Sequence, residues 1–93
     1  MITYDSARLD GSIMKSGRLH VYDDRVVYEP DNAAAESIVV QFADLNSHSV
    51  TCTALSRKVN VTLADRLGNE FNVVLVSKDR GAPLEEVLTR AAA

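Results

Sequence analysis

The sequence predicts a mainly β protein of about seven short antiparallel strands followed by one C-terminal α-helix. Apolar and polar residues alternate through most of the chain up to Val76, and the apolar positions are rich in Val, which favours half-buried strands. After Pro83 the apolar spacing lengthens to that of a helix. No repeat or linker divides the 93 residues, so we expect a single domain spanning residues 1–93.

The first part of the chain contains five predicted strands. They cover residues 7–15, 18–22, 25–29, 37–42 and 47–55. Gly11 is expected to mark a bulge or bend in the first strand, because glycine adopts backbone conformations that other residues avoid. Asp23 and Asp24 form a two-residue turn that makes the second and third strands a hairpin. A turn or change of direction follows at residues 43–45.

The second part of the chain contains a hairpin and the helix. Residues 58–65 and 71–76 alternate before and after a loop at residues 66–69, which indicates two paired strands. Val74 and Val76 make the last strand apolar on both faces, so a further element should cover its second face. The helix is predicted over about residues 83–92, and its apolar stripe should pack on the sheet. The stripe consists of Leu84, Val87, Leu88 and Ala91.

Composition and charge exclude several classes of protein. Ten Lys and Arg residues against thirteen Asp and Glu give a net charge of -3, which argues against nucleic acid as a partner. Cys52 is the single cysteine, so no internal disulfide calls for an oxidising compartment. The first ten residues lack the pattern of a secretory signal, and no apolar run approaches the roughly 20 residues of a membrane-spanning helix. We therefore expect a cytoplasmic protein.

Residues able to support catalysis or bind metal do not form a recognisable motif. His20 and His48 lack the spacing of a zinc site. Cys52 lies on an apolar strand face, and His48 is about 13 Å away along an extended strand, too far to act as its base. No glycine-rich loop precedes the helix, which argues against a nucleotide-phosphate site. We expect no enzymatic activity and no cofactor.

The first hairpin and the strand that follows it resemble a known family. Residues 17–28 run as glycine, apolar strand, polar turn and apolar strand, which resembles the start of GRAM and bacterial pleckstrin-homology-like domains. Residues 40–45, with Val50 five residues later, are similar to the next element of those domains. The resemblance implies a PH-like barrel of two near-orthogonal antiparallel sheets, with strands within residues 7–76 and the C-terminal helix as a cap.

Function does not follow from the fold, and our first hypothesis is a non-catalytic interaction module whose partner is a protein. The partner would be another protein, a peptide or a second copy of this chain, adding a strand at an exposed sheet edge or in the groove between that edge and the helix. The stretch 46–55 contains few charges that would block such pairing, and Val50, Thr51 and Thr53 are the candidate contact residues.

The alternative is a peripheral membrane module that binds anionic lipid headgroups through the first hairpin. Lys15, Arg18 and Arg25 would supply the cationic donors. His20 stands where a permanently charged residue would be expected, and two aspartates occupy the adjoining turn. The sequence therefore favours protein contacts over lipid binding.

Overall fold

The computed structural model describes residues 1–52 and 57–92 and contains seven strands and a C-terminal helix. The strands are β1 (Ile2–Leu9), β2 (Ser16–Val21), β3 (Arg25–Pro30), β4 (Ile38–Gln41), β5 (Leu45–Cys52), β6 (Lys58–Asp65) and β7 (Glu70–Val76), and the helix is α1 (Ala82–Ala92). Short 3-10 turns occupy Ile13–Lys15 and Phe42–Asp44. The predicted fold class, mainly β with seven antiparallel strands and one terminal helix, is confirmed.

One continuous sheet replaces the two sheets that the family resemblance implied. The strand order is β4-β3-β2-β1-β7-β6-β5, and every pairing is antiparallel. β1 belongs to both halves of this sheet, because Ala7 pairs with Gly17 of β2 and with Leu75 of β7. Across residues 1–52 and 57–92 no ladder joins β4 to β5, so the sheet stays open and is a barrel only in a loose sense.

The first strand starts five residues earlier than the sequence predicts. β1 covers Ile2–Leu9 instead of residues 7–15, and its pairing with β2 shifts register between Tyr4 and Ala7, where β1 has one extra residue. Such a bulge breaks the period of two, because the buried positions are then three residues apart. Gly11 lies in the turn after β1 with φ +72° and therefore is not a bulge within the strand.

The interior is lined by the inward-facing side chains of the sheet and by the stripe of α1. Leu84, Val87 and Leu88 are buried, as the helical spacing predicts, whereas Ala91, the last member of the predicted stripe, is exposed because it lies at the end of the helix. The second face of β7 is only partly covered. A turn at Gly11 lies close to Val74, whereas Val76 stays 43 % exposed, so the expected cover is missing at Val76.

The link between β7 and α1 requires a glycine at Gly81. Arg80 and Gly81 both have positive φ, at 57° and 76°. A Cβ on Gly81 would lie 2.8 Å from a methyl group of Val59 and 3.1 Å from one of Val50. The close approach of this link to β5 and β6 sets where the helix begins, and so how α1 lies relative to the edge strand β5.

Candidate functional site

The cations of the first hairpin, proposed from sequence as a headgroup site, each lie beside a carboxylate. The pairs are Lys15 Nζ with Asp10 Oδ2 at 3.6 Å, Arg18 Nε with Asp5 Oδ1 at 4.0 Å, and Arg25 Nη1 with Asp24 Oδ1 at 2.8 Å. His20 Nε2 lies 3.7 Å from Glu29 Oε2. The neighbouring carboxylates offset the positive potential that a phosphate would need.

The same cations are also spread along the hairpin. Arg18 is opposite Glu29 in the ladder, whereas Arg25 lies beyond the Val21 and Val26 pair, next to Tyr22. Arg18 and Tyr22 are four positions apart, which corresponds to about 13 Å of strand. The Arg25 guanidinium is also stacked on the Tyr22 ring, with its carbon 4.3 Å from the ring centroid. The hairpin therefore does not bring its cations to a single point.

The sheet edge proposed from sequence is an edge in the structure. β5 has eight residues, it contains no Asp, Glu, Lys or Arg, and within the described residues it pairs with β6 alone. Val50 is half-buried next to Gly81, and Thr51 is exposed. Thr53 lies outside the described residues. β4, at the other edge, has only four residues.

A groove lies between the first half of β5 and the last turns of α1. Its volume is about 230 Å³. The side chains that matter for recognition are Phe42, Leu45, His48, Arg66, Leu88 and Ala91. The buried side chains of Phe42 and Leu88 form an apolar floor, and polar groups, among them two basic side chains, make up the larger part of the groove surface. It lies along residues 45–48 of β5, whereas Val50 and Thr51 come later in the same strand.

Arg66 reaches the groove from the turn between β6 and β7. Its backbone N–H donates to the carbonyl oxygen of Asp44 at 3.2 Å, which ties this turn to the 3-10 turn that carries Phe42. The turn is closed by Asp65, whose carboxylate accepts hydrogen bonds from the backbone N–H groups of Leu67 and Asn69, each at 2.9 Å. Hydrogen bonds from Asn69 hold the pKa of Asp65 below its ordinary value. Arg66 therefore extends from a turn with a fixed backbone.

The Arg66 guanidinium has no carboxylate within 4.0 Å in the part of the chain that the structure describes. Arg90, next to Ala91 at the groove wall, also has no such partner there. Sequence patterns did not single out Arg66, because it stands in an ordinary hairpin loop. Phe42 and Leu88 were identified only as apolar residues of a strand and a helix.

A larger cavity, of about 330 Å³, lies beside the opposite edge strand β4. Its acidic residues are Asp10, Asp65 and Glu70. Asp10 already pairs with Lys15, and Asp65 accepts the hydrogen bonds of its own turn. With a four-residue edge beside it, this cavity offers an extended partner less backbone than the groove at β5 does.

The described residues contain neither a candidate metal site nor a helix that could span a membrane. Among residues 1–52 and 57–92, no three His, Cys, Asp or Glu side chains are grouped so that they could hold a metal ion. In the same residues, no helix has the length and apolar character needed to span a membrane. Cys52 is half-buried at the end of β5.

The fold is similar to that of pleckstrin-homology domains. The Vps36 N-terminal PH domain superimposes with a TM-score of 0.69 at 19 % sequence identity, covering 98 % of this chain and 76 % of that one. The C-terminal domain of an unknown protein from Leishmania infantum gives a TM-score of 0.68 at 13 % identity, covering 100 % of this chain and 84 % of that one.

The comparisons support a PH-like fold but not the GRAM family in particular. No model of a known protein family matches the chain. No curated protein sequence matches it either. At identities of 19 % and 13 %, the structural likeness defines the fold alone, and any function has to be argued from the groove and the hairpin.

Proposed function

We propose that this protein is a non-catalytic interaction module that binds an extended segment of a protein partner along β5, with the side chains of that segment in the groove against α1. The observation that carries the proposal is the eight-residue edge strand, free of Asp, Glu, Lys and Arg, next to a groove with an apolar floor. Backbone hydrogen bonds to the edge supply affinity, and the groove supplies selectivity. The PH-like fold is typical of binding modules, which supports this assignment.

A partner strand gains more from β5 than from β4 for a geometric reason. Each added residue pair contributes ladder hydrogen bonds, and β5 offers twice as many residues as β4. Natural edges are commonly protected by charged side chains or by proline, and β5 has neither. The partner is a segment of another protein or the same edge of a second copy of this chain.

The experiment is a peptide selection followed by mapping. Random 12-residue peptides displayed on phage are selected against the full chain, and the enriched peptides are titrated into ¹⁵N-labelled protein. We expect the largest amide shifts at Leu45–Cys52 and in the last turns of α1. No enrichment, or shifts confined to β4 or to the first hairpin, would contradict the proposal. Light scattering across a concentration series tests whether the partner is a second copy of this chain. A monomer at all concentrations would contradict self-association.

Lipid binding through Lys15, Arg18 and Arg25 is the alternative, and the neighbouring carboxylates argue against it. We expect the protein not to float with vesicles containing phosphatidylserine at low ionic strength, where electrostatic attraction is strongest. The matched variant carries Asp5→Asn, Asp10→Asn and Asp24→Asn, and it should float if carboxylates are what suppress binding. Flotation of the unmodified protein that is lost in Arg18→Ala would favour the lipid alternative.

A further inference from the structure

We infer that the groove between β5 and α1 selects partner segments in which an acidic residue stands two positions from a large apolar residue. This inference rests on the proposed function, because it assumes that a strand is added along β5. It names the chemistry of the partner that this groove accepts: one carboxylate for Arg66 and one aliphatic or aromatic side chain for the floor at Phe42 and Leu88.

Arg66 differs from the cations of the first hairpin in its surroundings. In the first hairpin Lys15, Arg18 and Arg25 each have a carboxylate within 4.0 Å. Arg66 lines the groove, and its guanidinium has no such partner among the described residues. A guanidinium and a carboxylate form two parallel hydrogen bonds, so a partner carboxylate would satisfy Arg66 in a defined orientation.

No Asp or Glu is among the described residues that line the groove. Asp44 is exposed and is not among the described residues that line the groove, although its backbone carbonyl accepts the Arg66 N–H. The C-terminal end of α1 contributes about half a negative charge, which Arg90 in its last turn offsets. His48, on β5, adds a hydrogen-bonding imidazole to the same wall.

The floor of the groove is formed by side chains that belong to the hydrophobic core. Leu88 is 1 % exposed and Phe42 is 8 % exposed, so the floor is continuous with the core and holds a fixed shape. An added strand directs every second side chain to the same face, and such side chains stand about 6.6 Å apart. A segment with an apolar side chain on the floor therefore presents its i±2 neighbours on the same face, where Arg66 lines the wall. This spacing is the source of the predicted pattern.

The test is a charge swap on the peptides selected above. Enriched peptides should show Asp or Glu two positions from a large apolar residue, and replacing that acid by Lys should weaken binding to the unmodified protein about tenfold, which corresponds to about 1.4 kcal/mol. The Arg66→Glu variant should bind the acidic peptide more weakly than the unmodified protein does, by at least the same factor. It should bind the Lys peptide more tightly than the unmodified protein does. Lys78→Glu makes the same charge change outside the groove and should leave Kd within about twofold.

Two outcomes separate this inference from the proposed function. In the first outcome, selected peptides shift the amides of Leu45–Cys52 but show no acidic preference, or Arg66→Glu changes Kd no more than Lys78→Glu does. The edge then binds strands, and the inference about an acidic residue is overturned. If no peptide binds at β5, the proposed function itself fails. Because Arg66 is exposed, its variants should retain the urea midpoint of the parent, and the ¹⁵N spectrum verifies the fold.

Discussion

The first hairpin and the groove beside β5 both carry cations at the surface of the sheet, but their surroundings differ. In the hairpin the ladder places acids next to bases: β1 pairs Tyr4 with Leu19, which brings Asp5 beside Arg18. In the groove, Arg66 extends from a turn whose one carboxylate, Asp65, is used by its own backbone. The number of basic residues in a segment therefore does not predict a cationic site, because the strand register decides which charges are neighbours.

The two regions also differ in how they are joined to the core. The outward side chains of the hairpin lie over the solvent side of the sheet, and Val39 on the adjacent strand is 52 % exposed. The floor of the groove is made by side chains that also belong to the core, such as Leu88. Changes to the groove floor should thus affect stability, whereas changes to the outer face of the hairpin should not.

The largest expected effect is that of Leu88→Ala. Because Leu88 is 1 % exposed, its truncation should leave a cavity between α1 and the sheet and lower the free energy of unfolding by about 2–5 kcal/mol. Val39→Ala, at a half-exposed position, should cost about 1 kcal/mol or less. Urea denaturation measures both. Equal losses in the two variants would show that the groove floor is not part of the core.

The second-largest effect is expected from the close backbone contact between β2 and β3 in the first hairpin. A Cβ on Gly17 would lie 2.3 Å from the carbonyl oxygen of Glu29, so Gly17→Ala forces β2 and β3 apart and should cost about 3 kcal/mol. Gly68→Ala is the control: it has φ +88° but nothing within 4 Å, and should cost about 1 kcal/mol. Thermal or urea unfolding measures the difference, and a Gly17→Ala protein as stable as Gly68→Ala would contradict the close packing of the hairpin.

A third effect concerns Tyr4, which lies on β1 beside the hairpin and whose hydroxyl is near Asp79 and Leu84 at the start of α1. Burial, and then the Asp79 carboxylate, raise the pKa of Tyr4 to about 12, above the ordinary value of 10.0. Between these values the unfolded chain releases the proton first, so stability should fall as pH rises, by at most about 1.4 kcal/mol per pH unit.

The variant Tyr4→Phe has no hydroxyl to titrate at this position. Comparison with the unmodified protein therefore separates the pH dependence due to Tyr4 from that due to other groups. Burial also raises the pKa of Tyr28, but Tyr28 is present in both proteins and cancels in the comparison. Urea unfolding at pH 9 and pH 11 should show a greater loss for the unmodified protein than for Tyr4→Phe, by about 1 kcal/mol. The same loss in both would mean that burial does not keep the Tyr4 hydroxyl protonated in the folded protein.

The smallest effect is expected for the ion pair between Arg18 and Asp5. Both side chains are more than half exposed and the atoms are 4.0 Å apart, so Arg18→Ala should change the free energy of unfolding by less than about 0.5 kcal/mol. A double-mutant cycle with Asp5→Ala measures the coupling directly. A coupling above about 1 kcal/mol would indicate that the hairpin charges stabilise the fold and do more than neutralise one another.

The elements with regular periodicity could be predicted from sequence, and the irregular ones could not. β6 occupies the predicted residues 58–65, and α1 begins one residue before the predicted start. β1 was misplaced because its bulge puts Tyr4 and Ala7 on the buried side with two residues between them. A period-two pattern cannot reveal a strand whose register shifts in the middle.

The candidate site was predictable only in part. The stretch that becomes β5 was recognised by its lack of charges, a property of consecutive residues. The contribution of Arg66 was not recognisable, because Arg66 is 18 residues from His48 in sequence and reaches the groove through the β6 and β7 turn. The pairing of Lys15, Arg18 and Arg25 with acids likewise depends on which strands are adjacent.

The sequence by itself determined that the protein is mainly β with one terminal helix, because periodicity and turn chemistry are interactions between near neighbours in the chain. The tertiary structure alone decided that one continuous sheet forms, that β5 is a sheet edge, and that Arg66 lines a groove with no carboxylate within 4.0 Å of its guanidinium among the described residues. The physical reason is that sheet order, edges and charge pairing join residues far apart in sequence. Which of them meet is set by the pairing of β1 with both β2 and β7.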